Sequence, residues 1–252
     1  MWLTALFALS LTTGIVNGAA AGETGSLRDF LFPHHQNGTN LASGRYLPAE
    51  GDAFIIDRAS VDHILLRFDD SPEVWALRPV AGPRGDIIYK DDLGEPVLRA
   101  TRLGGLTLFT QDRPGGAPTA FTGDAPPIRM PAIPNATVLF QSLVQSSLRA
   151  SRAAQHLVVF EAPDLSPHDI NPAVSSLLAD AAAITADAFG RLAGHGSSGR
   201  TQVARFAKVQ FTTGNEAQAQ ATGAVMIITI SPDKGFAGRP SSARIERVLN
   251  RR

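Results

Sequence analysis

A chain of 252 residues is long enough for one large domain or two modest ones, each with a real core. Its 44% apolar and 18% charged residues are a globular composition and exclude wholesale disorder. Lys+Arg and Asp+Glu both number 23, so no net field steers the chain to nucleic acid or a membrane surface, and no nucleic-acid partner is expected.

No charged side chain precedes Glu23, and the apolar run from Trp2 to Val16 leads into the small residues Ala19, Ala20 and Ala21. That pattern predicts a signal peptide over residues 1–21 with cleavage near Ala21, hence a periplasmic or secreted protein. The n-region lacks Lys and Arg, so the terminal amine alone supplies positive charge. A retained N-terminal anchor is the alternative, but the run is short for a span and its small-residue end suits a peptidase. No later stretch reads as a membrane span, so the mature chain is expected to be soluble. The chain has 0 Cys, which removes disulfides, thiolate chemistry and lipid attachment through an N-terminal Cys.

Residues 22–51 read as an irregular lead-in, with SLRDFLF forming one short helical turn. Across residues 52–112, the runs AFIID, HILLRF, EVWALRPV, DIIYK, PVLRAT and LTLFT are short, rich in β-branched or aromatic residues, and bounded by breakers. Asp70-Ser71-Pro72 and Asp91-Asp92-Leu93-Gly94 carry turn chemistry, and Gly104-Gly105 marks a bulge or tight bend. Strands at this spacing predict an antiparallel β-meander curled into a small barrel or half-barrel. Residues 113–134 hold prolines at 114, 118, 126, 127, 131 and 134, a density that neither a helix interior nor a central strand tolerates. They read as a Pro-rich linker, or as an extended segment pinned against a surface.

Over residues 135–252 the period becomes helical. Asn135 is placed to cap a helix running to Gln155, and LVVFEA reads as a buried strand. Asn171-Pro172 opens a second helix whose apolar residues, from Val174 to Leu192, keep a 3.6-residue period up to Gly194. ARFAKVQFTT and TGAVMIITIS then predict two strands around a polar loop, GNEAQAQA, before an arginine-bearing terminal helix. The order α-β-α-β-β-α predicts a mixed α/β sandwich with helices on one side, and the fold class is α+β.

Few motifs carry chemistry. His34-His35 lack partners at metal-ligand spacing, so no metal site and no cofactor is expected. Asn37-Gly38-Thr39 fits a glycosylation sequon, and Arg84-Gly85-Asp86 reads as a turn with its charges in water. Ser197 lacks the G-x-S-x-G frame and the strand-to-helix order of a nucleophile elbow, so the stretch around it reads as a flexible connector. Asp164, His168 and Asp169 follow a strand and form the best acid/base cluster, although Asp and Ser beside Pro are also turn formers. The paired acids Asp69-Asp70 and Asp91-Asp92 sit in turns without the spaced oxygens of a calcium loop.

The end of the chain, GFAGRPSSARIERVLNRR, combines a glycine-rich turn, a capping Ser and a basic helix. Free N–H groups at a helix start and the helix dipole attract anions. Gly238, Ser241, Ser242 and Arg244 are therefore candidate anion-binding residues, although the Walker spacing is missing.

The phrases LLRFDDSPEVWALRP, RLGGLTLFT and GFAGRPSSARI resemble an uncharacterised family of exported alphaproteobacterial proteins, itself a domain of unknown function. The resemblance covers most of the chain after the signal peptide. It implies a bacterial, periplasmic setting and no particular reaction. The expected function is that of an exported soluble envelope protein, a non-enzymatic binding or accessory module with a protein or small-anion partner. The alternative is a cofactor-free hydrolase built on Asp164, His168 and Asp169, or on Ser197.

Overall fold

The computed structural model describes residues 41–251, apart from 59, 61, 134 and 166–170. The expected signal peptide, His34-His35, the Asn37-Gly38-Thr39 sequon, His168 and Asp169 all lie outside the described residues.

Alternating apolar residues and tight turns build eight antiparallel strands: β1 (Gly44–Pro48), β2 (Phe54–Asp57), β3 (Ile64–Phe68), β4 (Val74–Ala81), β5 (Ile87–Lys90), β6 (Pro96–Ala100), β7 (Leu106–Leu108) and β8 (Ala117–Gly123). They form a closed barrel. This corrects the 52–112 boundary at both ends. The lead-in supplies β1 and the Pro-rich segment supplies β8, and these two pair with each other, Tyr46 opposite Phe121 and Leu47 opposite Ala120. Pro118 is tolerated because its carbonyl still works, accepting the Ala49 N–H at 2.8 Å. Closure removes the two edges that a half-barrel would expose.

Period-2 alternation sends Phe54, Ile56, Ile64, Leu66, Leu77, Tyr89 and Leu98 into the barrel, where side chains fill the interior. Their outward neighbours Ile55, Leu65 and Val74 are buried as well, beneath Ile128 and Phe236. Ile128 belongs to the proline-rich run after β8, and its N–H donates to the buried Asp57 Oδ2 at 2.8 Å. The run is thus the pinned alternative, a strap across the barrel.

The second half contains α1 (Ala136–Ala154), β9 (Val159–Glu161), α2 (Pro172–Gly194), α3 (Ser197–Val203), β10 (Lys208–Thr213), β11 (Gln218–Thr222), β12 (Val225–Ile230), a 3-10 segment (Pro232–Gly238) and α4 (Ser242–Asn250). Asn135 and Asn171 cap their helices as expected, each accepting the N–H three residues on at 3.0 Å. The order is α-β-α-α-β-β-β-α, which corrects the expected α-β-α-β-β-α in two places. The connector at Ser197 is helical, because Gly199 packs its bare Cα against the Leu192 carbonyl, where a Cβ would sit 1.8 Å away. The polar GNEAQAQA loop supplies all of β11 but Thr222, and this Ala/Gln strand pairs with β12.

The sheet runs β11-β12-β10-β9, with β11 antiparallel to β12 and the other neighbours parallel. Val209, Phe211, Met226, Ile228 and Ile230 face the helices and share one core with Leu177, Phe189, Ile245 and Leu249. On the other face, Lys208 and Gln210 meet Glu161, and these two partners, Gln210 first, hold its carboxyl below the ordinary carboxylate range. Helix α2 is long and apolar enough to cross a membrane, contrary to the reading that no later stretch is, yet 72% of its most apolar window is buried in the fold.

The strap makes a measurable claim. Ile128→Ala should cost about 2–5 kcal/mol in urea unfolding, the range for a buried Ile truncation. A free linker would tolerate the change within about 0.5 kcal/mol.

Candidate functional site

The candidate site begins where β12 ends. Pro232 cannot continue the sheet, and Gly235, at φ 52 and ψ −133, reverses the chain. At Gly238 the chain crosses back over Ser231, whose N–H donates to the Gly238 carbonyl at 2.7 Å. A Cβ on Gly238 would meet the Ser231 oxygen at 1.9 Å, so only glycine fits this crossing.

That crossing delivers Arg239 beneath the barrel, with 2% of its side chain exposed. Its Nε pairs with Asp180 of α2, and its Nη2 donates to the Val74 carbonyl of β4 at 2.9 Å. Glu73 Oε1 lies 3.9 Å from Nη1. One guanidinium therefore ties the barrel, the longest helix and the terminal segment together, satisfying its planar fork on several sides.

The terminal helix then starts against two barrel carboxylates. Ser241 Oγ caps α4 by accepting the Arg244 N–H at 3.1 Å. The Ser241 N–H and Oγ donate to Asp92 at 2.9 and 2.5 Å, and Arg244 Nε donates to the same carboxylate at 2.9 Å. The Ser242 N–H and Oγ donate to Glu73 at 2.8 and 2.6 Å. Three of the four candidate anion-binding residues thus converge on anions, and the anions are the chain's own Asp92 and Glu73. Gly238 does not join them, because it offers a carbonyl to Ser231. Glu73 and Ser242 are both buried, so an external anion reaches this helix start only by displacing a carboxylate.

Beside this junction opens a cleft of about 840 Å³. Trp75 and Phe236 give it apolar surface, and Asp62, His63, Glu216 and Lys234 give it polar groups. Burial pushes the His63 imidazole below its ordinary range, with Asp62 pulling the other way. Burial also pushes the Asp91 carboxyl up, against the pull of its turn amides, although Asp91 Oδ1 accepts the Leu93 and Glu95 N–H groups at 2.9 and 2.8 Å. The Asp91-Asp92 turn is therefore divided in use: Asp91 closes the hairpin and Asp92 reaches across to α4.

Other candidates are placed apart from this cleft. Asp164 is exposed in the turn after β9, and Ser197 is exposed in the first turn of α3. No hydrogen bond links Asp164 with Ser197 among the described residues. Asp86 corrects the reading of a solvated Arg84-Gly85-Asp86 turn: it is buried and takes two bonds from Arg99, at 2.7 and 2.5 Å. Glu73 and Arg239 carried no local signal, because their partners lie far away along the chain, and the cleft residues Asp62, His63, Trp75 and Lys234 meet only where β4 and β11 face each other.

Residues 26–249 match the family described as Domain of unknown function (DUF4908). The chain belongs to that family. The match runs from before β1 to within one residue of the end of α4, so barrel, strap and sheet are together one DUF4908 unit. No curated protein and no solved structure matches the chain.

Two predictions follow from this geometry in the DUF4908 chain. Arg239→Ala should cost about 3–5 kcal/mol in urea unfolding, because it strands buried acceptors and carboxylates. Arg244→Ala, one-third exposed, should cost less than about 1 kcal/mol.

The second concerns pH. A depressed His63 pKa means that the unfolded chain takes up the proton first, so this residue's contribution is complete above 6.5 and falls away as pH drops below that value. The His63 ring proton shift in NMR should titrate with a midpoint below 6.5, and Asp62→Asn should lower the midpoint further.

Proposed function

We propose that this protein is an exported, non-enzymatic binding module of the cell envelope, and that its ligand enters the cleft between the barrel and β11. The observation that carries the reading is the cleft itself: at about 840 Å³ it falls within the range of about 300–1,000 Å³ typical of ligand sites. Its lining suits binding. Trp75 and Phe236 offer apolar surface, while Asp62, Glu216, Lys234 and Arg78 offer charges of both signs.

Export is supported by the apolar run from Trp2 to Val16 and the Ala19–Ala21 end, and a chain with 0 Cys has no thiol to lose in an oxidising compartment. Binding is favoured over hydrolysis because Asp164 and Ser197 stand exposed on separate elements, apart from the cleft. A small inorganic anion is the less favoured ligand, since Glu73 and Asp92 already hold the amides at the α4 start.

Expression of the full-length chain in a bacterial host, followed by envelope fractionation, tests both parts. The recovered protein should begin at residue 22, and retention of residues 1–21 would overturn cleavage. Capture from envelope extract should return a species at near-stoichiometric amount that the double variant Trp75→Ala, Lys234→Glu does not retain. Equal recovery by the two proteins would overturn the cleft as the binding site.

A further inference from the structure

We infer that the ligand of the cleft is an extended peptide segment of a partner protein, which adds as a strand to the free edge of β11. The inference rests on the cleft being the binding site. Strand β11 is the outermost of its sheet, with β12 as its neighbour on the inner side. The two-residue turn at Gly223 and Ala224 sets Thr222 opposite Val225, with Gln220 opposite Ile227 and Gln218 opposite Thr229. Counting from that turn, the alternation of an antiparallel pair directs the backbone N–H and C=O of Ala219 and Ala221 away from β12.

The cleft meets this strand edge-on. Glu216, Ala217, Gln218, Ala219 and Gln220 all line it. Gln218, Ala219 and Gln220 belong to β11, and successive strand residues alternate between faces, so a wall made by three in succession is the edge of the strand and not one of its faces. The opposite wall is also a strand edge. Val74, Trp75 and Ala76 line it, and this part of β4 pairs with β3, whereas pairing with β5 begins at Arg78. The Val74 carbonyl on that edge is held by Arg239.

The free edge lacks the usual guards. Natural edge strands are blunted by Pro, Lys or a bulge. The run from Glu216 to Thr222, EAQAQAT, has no Pro and no basic residue, and the register of Gln218–Thr222 with β12 is unbroken. A wall that repeats N–H and C=O at every second residue is matched by another extended backbone, and the three strand residues that line the cleft span about 10 Å.

Charge sets the second requirement. Asp62, Asp91, Glu216 and Asp233 line the cleft against Arg78 and Lys234, and none of these six is in an ion pair among the described residues. The excess of carboxylates favours a peptide with a basic side chain. A second copy of the chain is the poorer occupant, because the β4 wall of the barrel stands across the cleft from β11 and would meet an incoming sheet.

The test uses the full chain and a random linear peptide library displayed on phage, with enriched peptides then synthesised. Enrichment of peptides carrying Lys or Arg is expected, with slowed amide exchange at Ala219 and Ala221 on binding. N-methylation of alternate peptide residues should weaken binding by about tenfold at one parity and little at the other, the effect of losing backbone bonds. Ala219→Pro removes an outward edge N–H while leaving the ladder bonds to β12 in place, and should weaken binding in the same way.

A peptide that perturbs Trp75 and Lys234 while the N-methyl scan stays flat and Ala219 exchange is unchanged would overturn strand addition and leave the cleft reading standing. Failure to enrich any peptide relative to the Trp75→Ala, Lys234→Glu variant would overturn the inference, while the envelope capture decides the cleft reading separately. Protection of Ala219 that rises with protein concentration in the absence of peptide would overturn it in favour of a second copy.

Discussion

The fold turns on a buried cation. Arg239 has 2% of its side chain exposed, yet it is held by Asp180, 59 residues before it, and by the Val74 carbonyl, 165 residues before it. Removing a guanidinium from water costs several kcal/mol, and the cost is offset only where good geometry meets every donor. The arrangement therefore permits one docking of barrel on sandwich and penalises the others. Apolar contact alone would be less selective, since the cluster of Ile55, Leu65, Val74, Ile128 and Phe236 tolerates sliding better than a fork of hydrogen bonds does.

The α4 start repeats the logic with the signs exchanged. Here the helix offers unpaired N–H groups and the barrel offers Glu73 and Asp92. A helix terminus that reads as a ligand site in isolation becomes a structural joint once a distant hairpin supplies its carboxylates. The two joints share Glu73, which accepts from Ser242 and lies near Arg239, so the terminal nine-residue helix is anchored where it begins. What the C-terminal phrase GFAGRPSSAR encodes is thus a crossing at Gly238, a buried charge at Arg239 and a capped, carboxylate-bound helix.

Much of this architecture is legible locally. The barrel interior follows from period-2 alternation in β2, β3 and β6, and the helices α1 and α2 from their Asn caps and 3.6-residue period. Three features escape such reading, each for a physical reason. Pro118 marks a linker by propensity, but barrel closure gives β8 two neighbours and uses the Pro118 carbonyl. The strand QAQAT, β11, lacks β-branched residues until Thr222, and its stability comes from pairing with the apolar β12 rather than from its own preference. The joints at Glu73 and Arg239 depend on residues more than a hundred positions apart, which no window along the chain brings together. The anion-site reading identified the right donors because their chemistry is local, and missed the acceptors because theirs is not.

The same constraint creates the cleft. Arg239 draws the Val74 end of β4 toward the sandwich, and its grip on the Val74 carbonyl lies on the edge that β5 leaves unpaired up to Arg78. The 3-10 segment that carries Phe236 spans the base between that edge and β11. Two strand edges are thereby held apart by a rigid, charged joint instead of pairing or collapsing together. An edge kept open inside a cleft differs physically from one exposed on a surface: the facing wall excludes another sheet, so the aggregation hazard of a bare edge is reduced without an edge Pro or Lys. The buried salt bridge and the unguarded β11 edge are in this sense one device, in which rigidity at the joint is what allows the edge to remain unpaired.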